Sequence, residues 1–351
     1  MRYDVAIVGG GLAGASAALW LSTSHSVIVL EKNSPASGAS GVAAGLVNPL
    51  KGLRASSAWR VDEALAALEA TLAEAHAPDL FNRCGIFRPA KSARQAKRFE
   101  EAASRSPEHG AWLSAEAAAE WYPYVRATLG GLFVRSGGVV PLSAFVEAML
   151  SEARQNGAHI LTEATVTGWK QSGEHVEIET EAESFVAKTL ILCLGPGYAT
   201  FPELAAQPLH QIKGQSIRLE KPARFPSNAP AVIARRYVVP DGDSLLAGAT
   251  FDHHFDDIDP DPRQSTLLKK EAVKLVPSLE GSKILDTQAG VRVTVPNVRL
   301  PLLGPIDNSN RVWIFTGLGA KGLMTAPLLA KNLPRFLTRP ETLPLEVRTA
   351  S

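Results

Sequence analysis

The sequence predicts an α/β protein of two domains: a doubly wound domain assembled from separated segments, and an α+β domain with a mixed, largely antiparallel sheet. Three observations predict it. The chain opens on an apolar strand, a glycine-rich turn, an apolar helix and a second apolar strand. Residues 211–295 read mainly as extended strands joined by turns. A last apolar strand then runs into a second glycine-rich turn and a helix, so the opening unit is completed from the far end of the chain.

The opening unit is the most informative. Asp4-Val-Ala-Ile-Val8 leads into Gly9-Gly-Gly11-Leu12-Ala13-Gly14 and then a helix, Ala15 to Leu21. The second strand, Ser26 to Leu30, ends on Glu31, with Lys32 beside it. Strand, GxGxxG turn, helix and strand closing on an acid make a Rossmann-type unit, which binds the ADP half of a dinucleotide. Gly9 permits the turn, Gly11 lets backbone approach a pyrophosphate, and Gly14 lets the helix pack on the sheet. The N–H groups at the helix start, around Leu12 and Ala13, face the phosphates. Glu31 lies 22 residues past Gly9, where a carboxylate accepts from a ribose 2′-hydroxyl and repels a 2′-phosphate, so NADP is disfavoured.

Composition narrows the class. With 351 residues, 45% hydrophobic and 20% charged, the chain reads as a soluble globular protein long enough for two domains. A net charge of +1 gives no field that would gather nucleic acid or an anionic membrane. Two cysteines, Cys84 and Cys193, make neither a disulfide framework nor a zinc spacing and suit a reducing compartment, so the expected location is cytoplasmic. The apolar start has one basic residue, Arg2, followed at once by Asp4, and reads as neither a leader nor a membrane span.

The remaining elements follow in order. Ser34 to Gly45 is a loop of small residues, including Ser40 and Ala44, that lets backbone lie against something flat. Ala58 to Ala75 is helical, with Val61, Leu65, Leu68 and Leu72 on one face. Residues 83–137 read as short helices and turns; Lys91, Arg94, Lys97 and Arg98 make a solvated helix face, with a phosphate-binding patch as the alternative. Pro141 to Asn156 is a helix capped by Gly157. Strands follow at Ala158–Leu161, Ala164–Trp169, His175–Thr180 and Phe185–Lys188, then a buried strand Thr189–Leu194 ending at Gly195-Pro-Gly197. The second domain's strands are Gln211–Leu219, Ala231–Val239, Ser244–Thr250 and Ile284–Val295, with a helix from Arg263 to Leu275. Strand Val312–Thr316, the turn Gly317-Leu-Gly319-Ala-Lys321-Gly322 and a helix to about Leu337 close the chain. The resulting division is 1–82, 138–206 and 296–351 for the dinucleotide domain, and 83–137 with 207–295 for the substrate domain.

Five segments, in order, resemble the FAD-dependent D-amino-acid oxidase family, which includes glycine oxidase and sarcosine oxidase. They are Asp4–Glu31; Gly38–Gly45; Arg236–Pro240 with Gly248-Ala-Thr250; Ala289-Gly-Val-Arg292 with Leu300–Gly304; and Gly317–Leu323 with Ala326-Pro327. Gly38-Ala-Ser-Gly41 and the last segment also resemble the oxidoreductase half of the bifunctional enzyme that modifies wobble uridine in tRNA; no methyltransferase half is read in these residues. The resemblance implies FAD, held by Gly9, Gly11, Gly14, Glu31, Ser40, Gly45, Val166, Gly195, Gly317, Gly319, Gly322 and Leu323. Neither cysteine lies near the C-terminal turn, where covalent relatives attach the flavin, so binding is expected to be non-covalent. Asn48 and Pro49 depart from several relatives.

The resemblance implies oxidation of the C–N bond of an amino acid or N-substituted glycine, by hydride transfer to flavin N5, with hydrolysis of the imine. Such a transfer needs positioning rather than a strong base. Arg292 matches the family's carboxylate-binding arginine, a role that suits a guanidinium's fork of N–H donors. Tyr237 matches a tyrosine facing substrate, with a core aromatic as the alternative reading, and Lys321 a basic residue near the flavin, with a solvated lysine as the alternative. Two other readings stand beside this one: a tRNA-modifying oxidoreductase acting on a carboxymethylamino group, and a flavin-binding scaffold without catalysis. Asp252-His-His254 with Asp256, Asp257, Asp259 and Asp261 looks like a metal site. Adjacent histidines in an extended loop diverge, however, so it reads as a solvated loop bordering the pocket, and no metal is expected.

Overall fold

The computed structural model describes residues 2–307 and 309–349, and among these two large sheets carry the architecture. The first grows from the opening unit. Strand Arg2–Val8 pairs in parallel with Val27–Leu30 on one side and with Ser184–Leu192 on the other. His159–Leu161 extends the sheet beyond Val27–Leu30, and Val312–Thr316 joins in parallel against residues 190–192. Parallel strands covered on both faces read as unbroken apolar runs, and all five residues of Val312–Thr316 are buried. Helix Leu12–Ser22 is buried along nearly its whole length, which is why it shows no polar stripe. It shares a core with Phe145, Val146 and Met149 of helix Leu142–Gln155 and with the C-terminal helix Gly322–Lys331. The separated segments of the chain therefore meet in one layered unit, as expected.

The second sheet runs in the order Ile284–Thr294, His210–Glu220, Ser244–Gly248, Tyr237–Asp241, Ala231–Ile233, Ile86–Pro89, Gly131–Val134, Gly110–Leu113. Its pairings are antiparallel except for that between Ala231–Ile233 and Ile86–Pro89.

Several elements differ from the sequence reading. Residues 83–137 supply three strands of four residues each, too short for an alternating pattern to declare itself. The single strand read from Ala231 to Val239 is a hairpin turning through Ala234-Arg235-Arg236, where Ala234 N–H donates to Arg236 O at 2.8 Å; no glycine or proline marks the turn. The two strands read on either side of Lys188 are one, Ser184–Leu192, whose first half pairs with His175–Thr180 and whose second half pairs with Val312–Thr316. The small-residue loop contains a helical turn, Ala39–Val42. The closing helix breaks at Asn332, two residues before Pro334, whose ring lacks the N–H a continuous helix needs.

Residues directly opposed in an antiparallel ladder share a face. One face of the second sheet therefore carries Tyr237, Gly248 and Ser216 in a row, then Gly214 with Gly290, Ile212 with Arg292, and His210 with Thr294. That face meets the turn Ala39–Val42: Ser216 Oγ donates to Val42 O at 3.4 Å, and a Cβ on Gly290 would lie 3.2 Å from Val42 Cγ2.

Candidate active site

The nucleotide cradle forms where the first sheet's strands end. Gly9 takes φ +108°, and a Cβ there would lie 2.4 Å from the Cys193 carbonyl oxygen. A Cβ on Gly14 would lie 1.8 Å from Gly9 O, so helix and strand approach each other as only glycine permits. Leu12 N–H donates to Ser40 Oγ at 3.1 Å, so the small-residue loop lies against the helix N-terminus, while Gly11 and Ala13 complete that first turn. Glu31 is buried at 8% exposure and accepts from Gly10 N–H at 2.6 Å and Asn33 N–H at 2.9 Å; Lys32 is exposed. Ala164 N–H donates to Glu31 O at 3.0 Å, which brings the start of strand Val166–Ser172 beside the acid. Gly195 opens the helical turn after Ser184–Leu192 with φ +53°.

The second glycine turn closes on the first. A Cβ on Gly322 would lie 2.8 Å from Leu12 Cδ2, with Leu323 buried next to it. Gly319 N–H donates to Val293 O at 2.9 Å, and Gly317 packs against Val295, so the same turn also touches strand Ile284–Thr294. Gly45 is set by packing rather than by an open approach, since a Cβ there would lie 1.8 Å from Val140 O; Ala44 beside it is partly buried. A glycine-lined turn, a helix N-terminus held by one hydroxyl and a buried ribose-side acid fit the ADP portion of FAD.

On the facing sheet, Arg292 and Tyr237 come together. Arg292 Nη2 donates to Thr250 O at 3.0 Å, and its guanidinium carbon lies 4.5 Å from the centre of the Phe251 ring. No carboxylate pairs with it among the described residues. Burial lowers its pKa from the ordinary value, and the neighbouring Tyr237 opposes that shift. Burial pushes the Tyr237 phenol up to about 12, partly offset by Arg292, so it is a neutral hydrogen-bond donor at physiological pH. Between the two residues the sheet is floored by Gly214, Gly248, Gly290 and Ser216. Sequence reasoning missed this floor, because its four small residues come from three strands and share no local pattern. A Cβ at Gly214 would meet Arg292 Nη2, and one at Gly248 would lie 2.7 Å from the Tyr237 hydroxyl.

Lys321 stands apart from that pair. Its ammonium donates to Arg299 O at 3.0 Å and lines a cavity of about 10 Å³, room for one water, with Asn48, Lys51, Trp59 and Met324. Burial first, then Lys51 and Arg299, lowers its pKa to about 8.

The acidic loop is solvent-exposed and is tied to its neighbours by hydrogen bonds. Asp252 and Lys213 exchange backbone hydrogen bonds, Asp257 pairs with Lys213 Nζ at 3.0 Å, and Asp261 caps helix Pro262–Leu275. His253 Nδ1 lies 2.9 Å from His210 Nε2. Among the described residues no group of histidine, cysteine and acidic side chains is arranged to hold a metal. His253, His254 and Asp256 border a cavity of about 430 Å³ with His210, Gln211 and Tyr198.

A dinucleotide cradle facing a sheet that presents a half-buried arginine and tyrosine defines an oxidoreductase with a resident dinucleotide. Residues 4–333 match the family described as FAD dependent oxidoreductase, and the chain belongs to it; its cofactor is FAD. It is 30% identical over 97% of its length to the tRNA 5-methylaminomethyl-2-thiouridine biosynthesis bifunctional protein of Thiobacillus denitrificans, and spans 57% of that protein. It is 26% identical to glycine oxidase of Geobacillus kaustophilus, covering 97% of this chain and 94% of that one. A crystal structure of glycine oxidase from Geobacillus kaustophilus superposes with a TM-score of 0.86 at 24% identity, over 96% of this chain and 95% of that chain. Iminodiacetate oxidase from Chelativorans sp. BNC1 superposes with a TM-score of 0.82 at 23% identity, over 96% and 95%. No helix among the described residues is long and apolar enough to cross a membrane.

Proposed function

We propose that the chain oxidises the C–N bond of a small amino acid or N-substituted glycine, with FAD bound non-covalently as the acceptor of hydride from the carbon beside nitrogen. The observation that carries this reading is Arg292: a half-buried guanidinium, beside a neutral phenol, with no carboxylate among the described residues to answer it. A half-buried cation without a counter-ion is poorly solvated, and a site that keeps one is suited to a ligand that brings the anion. One Arg292 nitrogen is occupied by Thr250 O, which fixes the guanidinium plane and leaves the other N–H groups for a bidentate carboxylate.

Anchoring the carboxylate orients the rest of a glycine derivative. Tyr237 donates to a substrate oxygen or holds an ordered water, and stays protonated while doing so. Gly214 and Gly248 leave room for the Arg292 and Tyr237 side chains to lie down on the sheet, and Gly290 leaves room for Val42. No side chain is assigned as a general base: the amine reacts unprotonated, and positioning supplies the rate. Cys193 is buried under the Gly9 turn and Cys84 packs beside Gly85, so neither is offered for a flavin linkage at the C-terminal turn.

The test is anaerobic mixing of the FAD-loaded protein with glycine derivatives, D-amino acids and L-proline, following loss of flavin colour. Bleaching by at least one carboxylate-bearing amine is expected; bleaching by none would overturn the reading. The 30% identity to a tRNA biosynthesis protein favours a second reading, action on a carboxymethylamino group of tRNA. Lys91, Arg94 and Lys97 are exposed before and along helix Ala93–Arg105, which buries Phe99, Ala102 and Ala103 instead. Binding to tRNA measured at two salt concentrations separates the readings, because phosphate contacts weaken steeply with salt.

A further inference from the structure

We propose that Phe251 is a positioning and specificity residue: its ring roofs the Arg292 guanidinium and shields the arginine–carboxylate pair from water and salt. The inference rests on the carboxylate-binding reading of Arg292 and adds a role to a side chain outside the sequence motifs.

Phe251 is 54% exposed, an unusual position for a large apolar side chain. Its backbone is nonetheless pinned on both sides. Thr250 N–H donates to Gln215 O at 3.0 Å, and Asp252 exchanges two backbone hydrogen bonds of 2.9 Å with Lys213. Lys213 Nζ then holds Asp257, and the Gln215 side chain holds Asp261 and Ser265, so the segment is tied to strand His210–Glu220 along its length. The ring over Arg292 is therefore placed by a fixed backbone. Thr250 and Phe251 hold the guanidinium in two ways: the Thr250 carbonyl accepts from Nη2, and the guanidinium carbon lies over the Phe251 ring.

The two contacts matter chemically. A carboxylate binds a guanidinium edge-on, through parallel N–H···O bonds in the plane. The ring on the face does not compete for those donors. It excludes water from one side of the ion pair, where a lower local dielectric strengthens the attraction and screening ions are kept away. Amines without a carboxylate gain nothing from the roof, so Phe251 sharpens the preference for amino acids over simple amines.

The experiment measures binding of acetate, an unreactive carboxylate, to FAD-loaded protein by calorimetry and by the shift in flavin absorbance, at low and high salt. Phe251→Leu keeps an apolar side chain but removes the ring; Phe251→Tyr keeps the ring. Leucine is expected to weaken acetate binding about 5- to 30-fold, the range of a partly desolvated cation–π contact. It is also expected to steepen the salt dependence, while tyrosine restores both. If Arg292→Met abolishes binding but Phe251→Leu changes neither affinity nor salt dependence, the roof is overturned and the carboxylate site stands. If Arg292→Met binds acetate as the parent does, the carboxylate site itself fails. If tyrosine does not restore what leucine loses, the ring is not the cause.

Discussion

Replacing Arg292 by Met separates a ligand-binding arginine from a structural one. A bidentate pair supplies two charge-assisted hydrogen bonds of about 1.5–3 kcal/mol each, so the loss in kcat/KM for a carboxylate-bearing substrate is ~10²–10⁴-fold. Stability should respond quite differently. The variant forfeits one hydrogen bond to Thr250 O and the Phe251 contact, together about 1.5–2 kcal/mol. It also relieves a half-buried cation that has no carboxylate partner among the described residues, which offsets the loss, and methionine fills part of the space. The two nearly cancel, so the thermal midpoint of the FAD-loaded protein should move by less than about 3 °C. Thermal unfolding and anaerobic flavin reduction on the same preparation check both halves. Activity lost together with a midpoint lower by many degrees would refute the reasoning and make Arg292 a clamp on Thr250.

Other outcomes follow from the same geometry. Gly14→Ala forces a Cβ to within 1.8 Å of Gly9 O, so the purified protein should lack flavin colour or fail to accumulate; a fully yellow variant would contradict the cradle. Tyr237→Phe should lower kcat/KM about tenfold by removing one donor, and the parent's pH–rate profile should show no phenol limb below about pH 10. Because the folded pKa of Tyr237 is raised from 10.0 to about 12, the stability gained by burying the neutral phenol is full below pH 10.0 and is lost as pH rises through about 12; Tyr237→Phe should flatten that loss in alkaline unfolding curves. Lys321, lowered to about 8, should be acylated fastest among the lysines near that pH, and Lys51→Met, which removes a neighbouring charge, should slow it in peptide mapping. Denaturing the holoprotein should release all the yellow colour.

The parts of the fold legible in the sequence are those with a strong local signature. The Gly9–Gly14 turn, strand Val27–Leu30 ending on Glu31, and strand Val312–Thr316 followed by the Gly317–Gly322 turn each carry a pattern within a few residues. What stayed hidden depends on distant partners. Tyr237 sits where it does because a hairpin without glycine or proline turns at Ala234–Arg236, a bend stabilised by cross-strand pairing. The strands at 86–134 are too short for a period and exist because they extend another sheet. Arg292 and Tyr237 were readable as candidates, but the glycine floor between them and the Phe251 roof arise only when strands distant in the chain are laid side by side. Lys321 shows the converse: its turn is legible, yet its side chain points to Arg299 O and a small cavity rather than to the Arg292–Tyr237 pair.

The central claim is that substrate is held by its carboxylate on Arg292, and a matched pair of amines tests it most directly. N-methylglycine and dimethylamine present the same secondary amine, with and without the carboxylate. Mixed anaerobically with the FAD-loaded protein, N-methylglycine or a bulkier N-substituted glycine should bleach the flavin at least a hundredfold faster than the matching amine lacking the carboxylate, about the lower bound for two charge-assisted hydrogen bonds. Equal bleaching by both members of the pair would contradict it.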